Sequence, residues 1–396
     1  MYTFLYQRLR GRIFYWLSVV CVDAQAPLSP TNSPGTDILK AGPVVNSSTA
    51  EETLTTYPYF NHRAYQAESR WSRRTFLGKW RRLGGRDPLW RPPHPGVLRR
   101  TLGELRPICL WLEALPKDPT FRGSSFEVPV ATAAVRQDAQ NPDTGYLTLL
   151  GFVNDRDTLY TLLESLSETL RPHGIRTLLG PAHLLPHLGS GVLSSYWQLP
   201  PPLDTPYNPP YVSEHLDALM SSVDRLSLFH FGTALPNPKP TGAEVVLKVL
   251  EPERLLNTLP LLHTAFSATT LSPPDAAEAQ AILRWLELQQ PFGVAATLPG
   301  APETPVGFAL LYPDETRNGL RRSRARTGRL LGGVLPDFRR RGVGRGLLSA
   351  ALEGAHARGW DSVSVGPVSR EGDAAAFLEA CGGVRRQEYT LYKSRL

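Results

Sequence analysis

The chain has 396 residues, of which 41% are hydrophobic and 20% charged, a composition typical of a globular protein with two or three domains. Its formal net charge of +7 is unevenly placed, because residues 1–100 carry a net charge of +9 and the remainder carries −2. No basic stripe with interleaved aromatic residues follows the body of the chain, which argues against a nucleic-acid enzyme.

The three cysteines, Cys21, Cys109 and Cys381, are odd in number and widely spaced. This pattern fits neither a disulfide framework nor a metal site, so it favours a reducing compartment and predicts no metal cofactor.

Residues 1–72 are predicted to be an extension of the folded body. Arg8, Arg10 and Arg12 precede the apolar run Ile13–Val22, and Ala24–Ala26 is similar to a secretory cleavage site. The run is too short to span a bilayer, which needs about 20 residues. Residues 27–60 are rich in Pro, Ser, Thr and Gly, which predicts disorder. Two interpretations stay open: true export, or an upstream, mis-assigned start codon.

The segment 73–235 is predicted to form a first domain. A short helix begins near Phe76, and the later elements are strands at Ile108–Leu112, Val128–Arg136, Gly145–Val153 and Ile175–Leu179, with a helix at Asp157–Leu170. The turn before that helix contains Asp155 and Asp157 but no glycine. Carboxylates at a helix N-terminus stabilise the helix dipole and repel a bound anion, so this turn is not expected to bind phosphate.

The proline-rich segment Pro236–Gly242 is the best predicted boundary, and residues 243–396 form the second predicted domain. Its predicted helices are Pro252–Ala268, Ala276–Leu288, a segment from Leu347 to Ala357, and Asp373–Cys381. Its predicted strands are Val245–Val249, Phe292–Ala296, Val306–Leu311, Arg329–Leu335, Ser362–Val365 and Arg385–Tyr392.

The run Pro336–Gly346 lies between the predicted strand Arg329–Leu335 and the amphipathic helix that follows it. A glycine-rich turn between a strand and a helix directs several backbone N–H groups at one point, which makes an anion site. The Gly-Lys-Ser/Thr of a nucleotide-triphosphate loop is absent, and the glycine spacing differs from that of a dinucleotide fold. The sequence therefore predicts a different phosphorylated ligand.

The pattern Arg339-x-x-Gly342-x-Gly344, after a strand that ends in Leu-Pro, resembles motif A of the GNAT acetyltransferase superfamily. The resemblance implies acetyl-CoA as donor substrate. The residues that it implies for the pyrophosphate are Arg339, Arg340, Arg341, Gly342, Val343, Gly344, Arg345 and Gly346. It also implies that the strand end, Gly333, Val334 and Leu335, holds the pantetheine arm and polarises the thioester carbonyl.

Two further segments, Gly85–Pro93 and Tyr207–Tyr211, resemble a bacterial family of tandem GNAT-like proteins with a degenerate N-terminal half. That resemblance implies an α/β (α+β) fold of two tandem domains, each with a mixed, mostly antiparallel sheet flanked by helices. The segment Tyr207–Tyr211 has two interpretations. Either its prolines fix an extended segment beside which the tyrosines pack, or Tyr207 or Tyr211 lines an acceptor pocket between the domains.

The catalytic residues are not predicted well. The resemblance implies a tyrosine as general acid at a position where this chain has Leu378, which leaves Tyr389 and Tyr392 as weak candidates. Glu371 and Asp373 fit helix caps better than catalysts. Four arginines of the segment 316–329 are candidates for a 3′-phosphate or an anionic acceptor, or else form a solvated loop: Arg321, Arg322, Arg324 and Arg326.

The predicted function is a cytoplasmic N-acetyltransferase, since acetyl-CoA is a cytoplasmic donor, and this favours the mis-assigned start over export. Its acceptor is expected to be a small-molecule or peptide amine, with no nucleic acid or membrane as partner, and the protein a monomer or homodimer. The alternative is a non-catalytic acyl-CoA-binding or scaffolding protein. Aminoacyl transfer from tRNA is disfavoured, because it would not need the intact loop at Arg339–Gly344.

Overall fold

The computed structural model describes residues 7–9, 12–14, 60–67, 70–84, 95–116, 128–233, 245–250, 258, 261–263, 270–314 and 327–396. The chain divides into two compact units, residues 1–45 and 46–396. The first contains the antiparallel hairpin of β1 (Gln7–Leu9) and β2 (Arg12–Phe14). The cleavage-like tripeptide, the linker 236–242, the four arginines of 316–326 and most of the predicted helix 252–268 lie outside the described residues.

The second unit begins with the elements that we call the first half, residues 60–233. These are β3 (Phe60–Gln66), α1 (Arg70–Gly84), α2 (Pro95–Leu105), β4 (Ile108–Pro116), β5 (Val128–Gln137), β6 (Thr144–Phe152), α3 (Arg156–Leu170), β7 (Thr177–Ala182), β8 (Val192–Leu193), α4 (Pro210–Leu219) and β9 (Ser221–Gly232). The helix α3 forms because Leu159, Leu162, Leu166 and Leu170 recur at helical spacing, and all four are buried.

The second half comprises residues 245–396. Its elements are β10 (Val246–Leu250), α5 (Ala276–Glu287), β11 (Phe292–Leu298), β12 (Ala301–Pro313), β13 (Thr327–Val334), α6 (Val343–Ala357), β14 (Ser362–Ser369), α7 (Asp373–Ala380) and β15 (Val384–Arg395). In α6, the buried residues Leu347, Leu348, Ala351, Leu352 and Ala355 form the predicted apolar stripe.

The strands β3 to β15 form a single thirteen-stranded sheet. Its order is β10-β11-β12-β13-β14-β9-β15-β7-β6-β5-β4-β3, with β8 beside β15. All neighbours are antiparallel except β13 with β14 and β6 with β7. The last strand of each half is exchanged: β9 lies between β14 and β15, while β15 pairs with β7, β8 and β9 of the first half. The two predicted domains therefore share one sheet, and it begins at β3, earlier than the predicted boundary at residue 73.

The hydrophobic core is also shared between the halves. On one face of the sheet, α6 packs against its own strands and against Phe229 and Phe231 of β9. On the opposite face, α5 packs in one cluster with Leu98 and Leu102 of α2. Both faces thus bury side chains from both halves.

A buried ion pair joins the halves on the α5 face. Glu278, in the first turn of α5, accepts hydrogen bonds from Arg136 Nη2 of β5 at 2.8 Å and lies 3.0 Å from Nδ1 of His187. Burial alone would raise the pKa of Glu278, but the neighbouring His187 and Arg136 lower it below its usual value. The glutamate is therefore a charged, fully partnered link between α5 and the first half.

Candidate functional site

The predicted anion loop follows β13 and ends in the first turn of α6. Pro336–Phe338 forms a short 3₁₀ turn, and the chain then reverses at Arg340 and Gly342, whose φ values are 59° and 81°. Gly342 is the N-cap residue of α6, and no side chain caps this helix. The amide of Gly346 donates to Gly342 O at 3.0 Å, so the amides of Val343, Gly344 and Arg345 precede the first bond of the helix.

The arginines of the loop differ in their partners. Arg339 Nε donates to Val334 O at 3.1 Å and so fixes the end of β13. Arg340 Nη2 lies 3.6 Å from Asp373 Oδ2, with both side chains almost fully exposed, and Arg341 lies over the ring of Phe338. An exposed ion pair contributes little to stability, so Asp373 does not hold Arg340 in place. Arg340 and Arg341 are therefore accessible to a phosphate, whereas Arg339 is bound to the backbone.

A gap between β13 and β14 opens beside this loop. The parallel pairing of the two strands ends at Leu330 opposite Val365. Beyond it β13 continues to Val334, paired only with β12, and β14 continues to Ser369, paired with β9. The predicted pantetheine-binding residues, from Gly333 to Leu335, therefore lie where β13 borders the gap.

The first half has the same strand–turn–helix arrangement with a different helix N-terminus. Asp155 is the N-cap of α3, and its carboxylate accepts from the amide of Thr158 at 3.0 Å and from the Thr158 hydroxyl at 2.6 Å. The carboxylate thus occupies the position that a bound anion would need. Asp155, one of the two carboxylates noted in the sequence of this turn, is thus the cap of α3, and the expectation that the turn binds no phosphate stays a prediction.

The candidate catalytic residues lie away from the gap or are buried. Leu378 is 4% exposed in the core beneath α6, while its neighbour Phe377 lies against Gly344. Tyr389 and Tyr392 lie on β15, which β14 and β9 separate from β13. Both rings are buried, and burial raises the pKa of both phenols, that of Tyr389 to about 12.

The predicted caps at Glu371 and Asp373 are not present. The N-cap of α7 is Gly372, and neither carboxylate makes a capping hydrogen bond. Asp373 is instead the first residue of the helix, with its side chain 89% exposed opposite Arg340. The glycine takes an extended conformation that any residue adopts.

The motif Tyr207–Tyr211 is held by structural hydrogen bonds. The side-chain amide of Asn208 accepts from Leu193 N at 2.7 Å and donates to Leu193 O, as a neighbouring strand would. Tyr211 donates to Phe152 O at 2.7 Å. Tyr207 and Tyr211 also line a cavity of about 120 Å³, but its lining residues all belong to the first half, at the gap between β6 and β7. The packing interpretation of the motif is thereby supported.

Sequence reasoning missed one polar group beside the gap. Asp224 of β9 accepts hydrogen bonds from Ser369 Oγ at 3.0 Å and from Thr270 Oγ1. These three residues are far apart in sequence and belong to both halves, and only the strand exchange brings them together. No local pattern could have predicted the cluster.

Two classes of site were sought across the described residues. No group of three or more His, Cys, Asp or Glu side chains suited to a metal ion occurs among them. Within that same part of the chain, no helix has both the length and the apolar character needed to cross a bilayer.

Comparison with known proteins relates this geometry to one family. Residues 260–382 match the model of the acetyltransferase (GNAT) family. No curated protein matches the chain.

Solved structures share the fold over most of this chain. A tandem GNAT protein from the clavulanic acid biosynthesis pathway is 13% identical, with a TM-score of 0.53 over 85% of this chain and 98% of that one. A GCN5-related N-acetyltransferase from Sphaerobacter thermophilus is 15% identical, with a TM-score of 0.50 over 85% and 95%. A GCN5-related glucosamine N-acetyltransferase region of a fungal multi-domain β-N-acetylglucosaminidase is 14% identical, with a TM-score of 0.55 over 86% and 38%. At these identities the likeness establishes the fold alone, which this chain shares with these structures.

Proposed function

We propose that this chain, whose residues 260–382 match the model of the acetyltransferase (GNAT) family, transfers an acetyl group from acetyl-CoA to an amine of a small molecule or peptide. The observation that carries the proposal is the uncapped, glycine-rich N-terminus of α6 beside the gap between β13 and β14. Since the donor is acetyl-CoA, we place the reaction in the cytoplasm.

The residues at this site fit the phosphorylated end of the donor. Gly342 has a φ of 81°, which glycine adopts without strain and which directs the following amides toward one point. A Cβ added to Gly344 would lie 3.3 Å from Phe377 Cζ, so this glycine leaves no spare room for a side chain. The amides of Val343 to Arg345 and the exposed Arg340 and Arg341 would bind the pyrophosphate.

In the reaction, the acceptor nitrogen forms a bond to the thioester carbonyl carbon, the C–S bond breaks, and the products are an amide and the free thiol of CoA. The nitrogen loses a proton and the thiolate gains one. Backbone N–H groups at the end of β13, from Gly333 to Leu335, would polarise the carbonyl, because oriented donors stabilise the negative charge that develops on its oxygen.

The first half is not suited to bind a donor, so we propose a single donor site per chain. Its corresponding helix N-terminus is capped by Asp155, whose negative charge repels a pyrophosphate. We therefore assign the first half to completion of the fold and to the acceptor side of the site.

A second candidate function is non-catalytic binding of an acyl-CoA. It is favoured by the burial of Leu378, Tyr389 and Tyr392, since none of these side chains supplies an accessible acid. Release of free thiol from acetyl-CoA, measured with a broad panel of amines, separates the two functions. Turnover with any amine supports the transferase.

The donor site is tested by the substitution Gly344→Glu. A carboxylate at the helix N-terminus repels the pyrophosphate and crowds Phe377, so we expect acetyl-CoA binding to fall by a factor of about 100 or more in calorimetry. The matched variant Gly344→Gln has nearly the same size without the charge and should lose less. Unchanged binding by the Glu variant, with its thermal unfolding intact, would refute the site.

A further inference from the structure

Asp224 lies on the face of the sheet opposite α6. Successive side chains of a strand point to opposite faces, and on β9 the rings of Phe229 and Phe231 pack beneath α6. Leu226 and Leu228 pack on the other side with Tyr389. Asp224 and Leu226 are two residues apart on β9, so the carboxylate of Asp224 is on this second face.

The segment Thr270–Ser272 lies across the same face. Ser272 N donates to Tyr146 Oη at 3.0 Å, and Leu271 packs on a cluster that contains Tyr146 and Leu391. Leu391 is the cross-strand partner of Asp224. Thr270 therefore reaches the Asp224 carboxylate from above the sheet, while Ser369 reaches it from the neighbouring strand.

This position is one strand away from the gap at which we propose the reaction takes place. Ser369 is the last residue of β14, one of the two strands that border the gap, and β9 is the next strand, about 4.8 Å away. The pyrophosphate loop belongs to the N-terminus of α6, on the other face. With the donor bound from the α6 side, an acceptor approaches the gap from the side on which Asp224 lies.

In the part of the chain that the structure describes, no basic side chain forms an ion pair with Asp224. Glu388 precedes Tyr389 on β15, so its side chain lies on the opposite face of the sheet, the face of α6. Its carboxylate is 3.3 Å from Arg370 Nη1. Of these two carboxylates near the end of β14, only Asp224 has no ion pair with a described basic residue.

The hydrogen bonds of Asp224 suit a counter-ion better than a base. Hydroxyl groups donate to both carboxylate oxygens, and such donors stabilise the negative charge. The nitrogen that attacks a thioester must be neutral at that moment, since it needs its lone pair. A fixed carboxylate therefore fits a second charge on the acceptor, one that persists through the reaction.

We propose that Asp224, held by Ser369 and Thr270, binds a second ammonium group of the acceptor, so that the preferred substrates are diamines or other polycationic amines. The proposal rests on the acetyltransferase function above and names the class of its acceptor. It assigns to the first half, through the exchanged strand β9, a direct role in substrate selection.

The test is calorimetric binding of α,ω-diamines with three to six carbon atoms to the full chain saturated with CoA. The matched probes are the amino alcohols of equal length, in which a hydroxyl replaces one ammonium. We expect at least one diamine to bind about tenfold or more tightly than its amino alcohol, because only the diamine has a second ammonium to bind the Asp224 carboxylate. Asp224→Asn should abolish that difference, while Glu388→Gln should retain it.

The outcomes separate this inference from the function on which it rests. Acetyl-CoA binding is measured for every variant and should not change with Asp224→Asn, which also confirms that the variant folds. If the wild type binds acetyl-CoA but shows no preference for any diamine, or if Asp224→Asn keeps the preference, Asp224 is not the anchor. Failure of the wild type to bind acetyl-CoA overturns the proposed function itself.

Discussion

Asp204 is a carboxyl group buried between the two halves, and its surroundings oppose ionisation. It is 3% exposed, and burial raises its pKa to about 7, although the nearby charge of Arg329 acts in the opposite direction. Nε2 of His183 lies 3.9 Å from Asp204 Oδ1. Burial lowers the pKa of that histidine to about 4, so near neutral pH it is uncharged and gives Asp204 no ionic partner.

Asp204→Asn tests this account through the pH dependence of stability. The folded pKa is raised above the unfolded value of 3.8, so the stabilising contribution is fully present below pH 4 and is lost as the pH rises toward 7. The asparagine variant does not titrate. We therefore expect its free energy of unfolding, relative to wild type, to increase between pH 4 and 7 in denaturant titrations.

The control for that prediction is Asp157→Asn, which removes an exposed carboxylate in the first turn of α3. It should shift stability by less than about 1 kcal/mol, and so controls for the loss of a carboxylate that is not buried. A parallel pH dependence of the Asp204 variant and wild type would contradict a raised pKa for Asp204.

Single residues of the proposed donor site could be predicted where the conformation depends on local sequence. The glycines of the loop are recognisable because a turn before a helix needs a positive φ, and Gly342 has one. The role of Arg339 was not predictable, because its hydrogen bond to Val334 O depends on the final path of the strand end. Arg340 likewise adopts a φ of 59° that its residue type does not indicate.

At the scale of elements, the two strand–turn–helix units differ mainly in their helix caps. Asp155 satisfies the first amides of α3, whereas Gly342 leaves those of α6 without a side-chain partner. The same element order thus gives one helix N-terminus that a side chain caps and one that no side chain caps. The difference could be predicted from the sequence, since both signals lie within a few residues of the turn.

We predict that Asp155→Ala destabilises the protein by about 1 kcal/mol, because the cap of α3 is lost. The change should not create a second donor site, since the turn of α3 still lacks the glycines of the α6 loop. Chemical denaturation measures the first effect and calorimetric stoichiometry of acetyl-CoA the second. Two bound acetyl-CoA molecules per chain would show that Asp155 alone prevents the first half from binding a donor.

Most regular elements were predictable and a few were not. The predicted helix Asp157–Leu170 is observed as Arg156–Leu170, and Ala276–Leu288 as Ala276–Glu287, because both have a clear apolar stripe. The strands β3 and β9 gave no usable signal. β9 starts with exposed residues and becomes buried only from Leu226, so its first part does not alternate like a strand with one buried face.

The whole molecule departs most from what the sequence could indicate. A proline-rich linker at 236–242 suggests two separable domains, and strand exchange is invisible to local pattern because it pairs residues from opposite halves. Val363 of β14, for example, is opposite Phe231 of β9. The domain boundaries 73–235 and 243–396 therefore remain a prediction. The sheet and the hydrophobic core are continuous across them.

The exchange predicts that neither half folds alone. Without the first half, β14 and β15 lose β9, leaving unpaired strand edges, and the core beneath α6 loses Phe229 and Phe231. Those two rings contribute roughly 1.5–3 kcal/mol each, a large part of the stability of a typical domain. We expect residues 243–396 produced alone to aggregate or to lack a cooperative thermal transition.

The same exchange predicts that the linker is dispensable once the chain has folded. A protease site inserted within 236–242 and then cut should leave both fragments in one peak on size-exclusion chromatography, with acetyl-CoA binding retained. The uncut variant is the control for the insertion itself. Because β9 and β15 pair with strands of the opposite half, the fragments should separate only under conditions that unfold both. Fragments that separate in native buffer, or an isolated second half that binds acetyl-CoA, would mean that the exchanged strands are not required for the fold of the donor site.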